Sequence, residues 1–540
     1  MPRQTRYRLY LFSLALIFLA CLSLRSEQDL HRVWAIKDAR IITLTGPPIE
    51  KGSLVIRDGL IEAVGVNIPI PKDAEVIDGA KITVYPGLMD GLGQSLLKLP
   101  EEKMDMSRIS SGDFTDKDRG ITPGLTAFDY INLGKAVFEK YHKLGFVAGH
   151  VMPDRGVFTG RSAFFCFSDP DKNRALLLKD VCLGIGFSPS NFMVYPNSLM
   201  GVHSYLKQAL TDAAYFDQAR SRWLKEWQGL TRPDHSPNLE VLADYATARK
   251  PVIFLCRNQH DIRRSIGLAA EFKLNSFIAD LGGEAFEVIP EIRKANARVL
   301  CTVAFKAPGS SIYAQRGKAE RERAEREVYP KNPARLAEAG IPFAFSSLGT
   351  DDPKAFAEGI QKAIEAGLPK EKAIEALTKT PAVFFGLDRA LGTIEPGKIA
   401  NVVLSEGELL VKETKVRYAF VDGKKFELKE AKPGEGEKPT VNVAGKWELS
   451  VEGQMGMTLT IDFSQEEAAL SGKLVTPFGA FDFTGGIVSG KDVSFEISIS
   501  VGGQDLDLFF SATVEADKMR GSVVQGGAGT AEFTAKRIPG

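Results

Sequence analysis

The side chains able to do metal, acid–base or nucleophilic chemistry are few and scattered. There are six histidines: His31, His142, His150, His203, His235 and His260. No two are spaced i,i+2 or i,i+4, the short spacings by which a strand or a helix turns two imidazoles toward one metal. Only His150 ends an apolar run that reads as a strand, Gly145–Met152. A satisfied core or rim histidine is the simpler reading there than a ligand or base. The carboxylates and thiol that close or follow other strand-like runs are Asp90, Cys256, Asp280, Glu284 and Asp351. These, with His150, are the candidate polar residues of a pocket. A Cys/Asp/Glu zinc site among them would lack any spacing signature. Ser346 and Ser347 have no identifiable base beside them in sequence.

Short apolar runs separated by helical stretches would position these groups. Gly145–Met152 follows the helical stretch 136–144, and Pro251–Cys256 precedes a helix from about Asp261 to Phe272. Residues 275–281, 297–305 and 341–346 continue the series. This alternation implies βα units and a parallel sheet. Before it, residues 33–83 are strand-rich, with Asp58-Gly59 as a hairpin signal. Residues 429–440, rich in Lys, Glu, Pro and Gly, read as a linker. Beyond it, Leu459/Ile461/Phe463, Val493/Phe495/Ile497 and Leu506/Leu508/Phe510 alternate with period two. Residues 441–540 therefore predict a separate antiparallel all-β domain.

Composition sets the outer limits. The chain has 540 residues, 44% hydrophobic and 25% charged, and a net charge of zero. No basic excess is present to neutralise phosphates, so a nucleic-acid partner is not expected. Arg3, Arg6 and Arg8 precede the uncharged run Leu9–Leu24, which suits a secretory leader over residues 1–25. The expected location is periplasmic or extracellular, with lipid attachment at Cys21 as an option. Cys166, Cys182, Cys256 and Cys301 lie in apolar stretches and read as buried thiols. A Cys166–Cys182 bridge is the alternative in an oxidising compartment.

Residues 84–94, Val-Tyr-Pro-Gly-Leu-Met-Asp-Gly-Leu-Gly-Gln, resemble the first barrel strand of the amidohydrolase superfamily, V-x-P-G-[LF]-[IV]-D-x-H-x-H. Residues 391–404 resemble its later G-[ST]-[IL]-x-x-G-K-x-A-D-[LV]-V, with Asn401 for Asp. Gly156–Ala163 and Tyr195–Gly201 resemble stretches of the imidazolonepropionase-like, exported branch of metal-dependent hydrolases. The resemblance implies a (β/α)8 TIM-like barrel at 84–390. It also implies a small flanking β-sandwich built from 33–83 and 391–428.

It implies, in the family, hydrolysis of carbon–nitrogen non-peptide bonds with one or two divalent metals such as zinc. The family places ligands at the positions of Leu92 and Gln94 (strand 1), Leu255 (strand 5), Gly282 or its neighbours (strand 6) and Leu348 (strand 8). None of these is His or Asp here. Leucine has no donor atom, and a neutral amide is a poor zinc ligand. The expectations are therefore no metal cofactor and a non-catalytic barrel. Such a barrel would bind a small molecule, an intact amidohydrolase paralogue or a second copy of itself. The alternative is an active hydrolase of a small cyclic amide or related compound with a rearranged site.

Overall fold

Asp58 and Gly59 turn the hairpin between Ile49–Arg57 and Leu60–Gly65 with φ of 53° and 80°, the doubly left-handed geometry that suits an Asp-Gly pair. The computed structural model describes residues 33–99, 112, 114–189, 193–305, 318–350, 352–411, 414–428, 439–451, 458–476, 479–501, 504–525 and 529–538. The expected leader with Cys21, Asp351 and most of the 429–440 linker lie outside them. The chain divides into two compact units, Met1–Leu428 and Lys429–Gly540.

Both ends of the first unit build one sheet. Its strands are β1 (Val33–Ile41), β2 (Ile49–Arg57), β3 (Leu60–Gly65), β4 (Ala74–Asp78), β5 (Ile82–Pro86), β16 (Val402–Glu406), β17 (Lys415–Val421) and β18 (Lys424–Glu427). The order is β18-β17-β16-β5-β1-β2-β3, with β4 on the first half of β1. Val84, Tyr85 and Pro86 pair with Leu404, Val403 and Val402, so this stretch belongs to the outer sheet and the barrel begins after it. Trp34, Ile36, Leu54, Val84, Val402 and Phe420 fill one hydrophobic cluster of this sheet.

Between these ends lie β6 (Leu88–Gly93), β7 (Phe146–Val151), β8 (Phe158–Arg161), β9 (Ala163–Cys166), β10 (Leu176–Leu178), β11 (Leu183–Gly186), β12 (Val252–Cys256), β13 (Ser276–Asp280), β14 (Arg298–Thr302) and β15 (Phe343–Ser346). β6 and β7 are parallel, as are β11 through β15. The continuous stretch β8–β9 runs against both groups, pairing with β11 through β8 and with β7 through β9. The third of the eight staves is thus antiparallel, a departure from the all-parallel expectation. The eighth meets the first where the Leu348 N–H donates to Leu92 O at 3.1 Å and the Ser346 hydroxyl donates to the same oxygen at 2.7 Å.

Helices return the chain between staves. Asn258 caps the helix Gln259–Phe272, accepting from His260 N and Asp261 N at 3.0 Å. Asp352 caps Pro353–Glu365, accepting from Ala355 N at 2.8 Å, with Pro353 in the first turn where its missing N–H costs nothing.

In the second unit eight strands, from Gly445–Val451 to Gly529–Arg537, form a closed antiparallel barrel. The period-two residues Ile461, Phe463, Val493, Phe495, Ile497 and Phe510 face its core. Trp447 is buried, donates Nε1–H to Val443 O at 2.8 Å, and lies under the Arg537 guanidinium at 4.7 Å.

Candidate functional site

The first strand brings its polar residue inward and ties it down. Asp90, on β6, is buried. Its Oδ1 accepts the N–H groups of Leu92 and Ser347 at 3.1 Å, and its Oδ2 accepts the Ser347 hydroxyl. Desolvation raises its carboxyl to about 6 against these bonds. Asp90 therefore laces stave one to the loop after stave eight. A Cβ at Gly93 would stand 2.5 Å from both Asp90 Oδ2 and Ser347 Oγ, so glycine is what lets the two approach.

His150, on β7, is wholly buried and doubly bonded. Its Nδ1 faces Gly91 O at 3.1 Å and its Nε2 faces Ser162 Oγ at 2.7 Å. A carbonyl can only accept, so Nδ1 carries the proton and Nε2 takes the serine hydroxyl's. Ser162 Oγ in turn accepts Cys182 N–H at 2.9 Å. Burial lowers the imidazole to about 4. This is a core histidine within a closed relay.

Asp280, at the end of β13, is equally committed. It accepts Glu284 N at 3.1 Å, Ala285 N at 3.0 Å and Asn332 Nδ2 at 2.9 Å. Desolvation lifts it to about 6. Glu284 accepts Gln259 N at 2.9 Å. Cys256 is buried, with its thiol pushed up by desolvation. Of the proposed pocket residues, Asp90, His150, Cys256 and Asp280 are thus internal ties with no face open to a substrate. Glu284 is half-buried and holds a helix start. All four described thiols are free and buried.

The expected ligand positions are apolar or closed. Leu92, Leu255 and Leu348 are 0%, 4% and 2% exposed and belong to one hydrophobic cluster. Each such burial stabilises by roughly 1.5–3 kcal/mol. Gly282 packs against the Arg257 carbonyl so closely that no side chain fits there. Gln94 differs. With its amide nitrogen turned to the carboxylate, it donates to Asp154 at 2.5 Å and 3.1 Å. Asp154, half-buried just past β7, has its carboxyl raised by desolvation, against the pull of Arg155 and Arg257. Gln94, Asp154 and the exposed Arg257 form a polar group at the strand ends. Asp154 was not among the sequence candidates. Its place three residues after Val151, at the end of a barrel strand, was the available signal.

Residues 316–431 match the model of the amidohydrolase family. A stretch of 102 residues, 19% of this chain, is 31% identical to an adenine deaminase of Archaeoglobus fulgidus, and 65 residues, 12% of it, are 43% identical to one from Desulforamulus reducens. These matches span 17% and 10% of those relatives. The fold resembles that of an amidohydrolase from Thermotoga maritima with a TM-score of 0.62 and 21% identity, covering 73% of this chain and 99% of that one. An adenosine deaminase from Xanthomonas campestris with bound zinc also aligns, at a TM-score of 0.42 and 14% identity, over 73% of this chain and 97% of that one.

The expectation of no cofactor is corrected by this family match, which indicates a metal; zinc is what the Xanthomonas protein holds. The described residues at the usual ligand positions do not fit that metal. Three are packed leucines, one is a glycine without room for a side chain, and one is an amide bound to Asp154. Among the described residues no three His, Cys, Asp or Glu side chains are grouped to hold a metal ion. Residues 316–431 thus match the amidohydrolase family, and the fold of the first unit resembles that of an amidohydrolase.

Proposed function

We propose that this chain is a non-catalytic amidohydrolase, exported from the cytoplasm, whose barrel serves as a binding or partner subunit. Its partner would be an intact amidohydrolase paralogue or a second copy of the chain. The observation that carries this is the set Leu92, Leu255 and Leu348. At positions where the family places reactive groups, these side chains contribute packing and no lone pair. The leader-like run Leu9–Leu24 supports export. The test is a hydrolase screen of the full chain, supplied in turn with zinc, manganese and iron, on cyclic amides, ureas and purines. No turnover above the metal-only blank is expected. Turnover that disappears in Asp154→Asn would overturn the reading.

A second reading is hydrolysis at a rearranged site. The family match and the short likeness to adenine deaminases favour it. Its proton carrier would be Asp154, whose raised carboxyl and Gln94 contact place a titratable group at the strand ends. An aminopurine or a related cyclic C–N compound is the substrate class to try first.

A further inference from the structure

The helix Leu199–Lys225 buries Val202, Leu206, Ala209, Leu210, Ala213 and Phe216, and nothing after them. Its last nine residues, about 13 Å of helix, run on past the core. This end and the loop beyond it carry large apolar side chains into water. Tyr215 is 71% exposed, Leu224 57% and Trp227 68%. Trp223 stacks on Trp227 with ring centroids 5.3 Å apart, so the two indoles form one plate. The other two tryptophans of the chain, Trp34 and Trp447, are buried. Trp223 is half-buried and Trp227 exposed, so this pair lies outside the cores that hold the other two.

The same segment is basic. Arg220, Arg222, Lys225 and Arg232 stand against one acid, Glu226, between residues 218 and 232 of a chain with no net charge. Asp217, just before, is engaged by Arg249 at 2.7 Å. No described carboxylate lies within 4 Å of any of the four basic groups, while Arg232 lies over the Trp223 ring at 5.9 Å. Indole rings with a wet N–H and an apolar body settle at headgroup depth, and flanking Lys and Arg bind anionic lipid. A second copy docked symmetrically here would set four cations against four.

We propose that the tip formed by residues 215–232 docks on an anionic lipid surface, its indole plate entering the headgroup layer. This goes beyond the binding-subunit reading and does not depend on it. A chain held at a membrane by its leader and touching lipid at this tip would have two points of attachment, the number that stable peripheral binding requires.

The test uses tryptophan fluorescence of the full chain with vesicles of brominated phosphatidylcholine, with or without about a third phosphatidylglycerol. The buried Trp34 and Trp447 are out of reach, so quenching reads Trp223 and Trp227. Quenching is expected on the anionic vesicles only. It should weaken at least about tenfold in affinity in Arg222→Glu/Lys225→Glu, whose exposed positions leave the fold alone. Vesicles of phosphatidylcholine alone, which a leader would still bind, control for attachment elsewhere. Equal quenching on both vesicles, or in the charge-reversed variant, overturns the proposal. So does absence of quenching while the chain co-sediments with the anionic vesicles. A blue shift produced by polyglutamate but not by vesicles would assign an acidic protein surface instead. One that grows with protein concentration alone would assign a second copy.

Discussion

Ser347 binds Asp90 twice, through its N–H to Oδ1 at 3.1 Å and through its hydroxyl to Oδ2. The carboxylate is thereby spent on joining the first barrel strand to the loop after the last.

Asp90 carries a pH signature. Its folded carboxyl titrates at about 6, above the ordinary 3.8, so the folded state holds the proton more tightly than the unfolded one. Its contribution is greatest below about pH 4 and falls as pH rises through 6. Asp90→Asn keeps the Oδ1 acceptor, and its amide can donate to the serine oxygen. Relative to the parent, the variant should gain up to roughly 3 kcal/mol between pH 4 and pH 8. Denaturant midpoints at the two pH values check this. A difference that stays constant, or reverses sign, rejects it.

Ser162→Ala removes the middle of the relay from Cys182 N–H to His150 Nε2. It leaves a buried donor and a buried acceptor unpaired, at a cost of about 1–3 kcal/mol. The imidazole stays neutral because burial holds it near 4. Urea unfolding should show the loss, and a change under about 0.5 kcal/mol would mean that water or a neighbour replaces the hydroxyl.

Leu348→Asp restores an acid at the family's strand-eight position, yet Leu348 is 2% exposed among packed apolar side chains. The carboxyl must take up a proton or find a cation, and the fold should lose several kcal/mol. No hydrolysis should appear, because Leu92 and Leu255 remain. Metal-dependent turnover from this single change would show that the other groups of a site are already in place.

The second unit should fold alone. Its eight strands close on themselves and its core, from Trp447 to Phe533, is its own. A fragment of residues 439–540 should give a β-type circular dichroism spectrum and a cooperative melt. A disordered spectrum, or helical content above about 20%, counts against it.

Much of this architecture was legible in the sequence because period and turn chemistry are local. Asp58-Gly59 and the alternation of Val493, Phe495 and Ile497 each report a neighbour a few residues away. The reversal of β8–β9 was not legible. Phe158–Cys166 carries no sign of direction, since a strand has the same composition whichever way it runs. The roles of Asp90 and Asp280 were hidden for a different reason. Asp90 lies within β6 and Asp280 ends β13, and only their partners Ser347 and Asn332, many residues away, mark them as ties. Asp154 was missed because its half-burial and its contact with Gln94 arise from the fold.

The outer sheet sets an order on synthesis. β5 hydrogen-bonds on one side to β1, made earlier in the same N-terminal stretch, and on the other to β16, made only after the whole barrel. Until Val402–Glu406 is available, the backbone groups of Ile82–Pro86 on that side form an open edge beside the growing barrel, a template for any stray strand. A ribosome stall or proteolytic cut before residue 402 would leave a barrel whose entry strand still invites a partner.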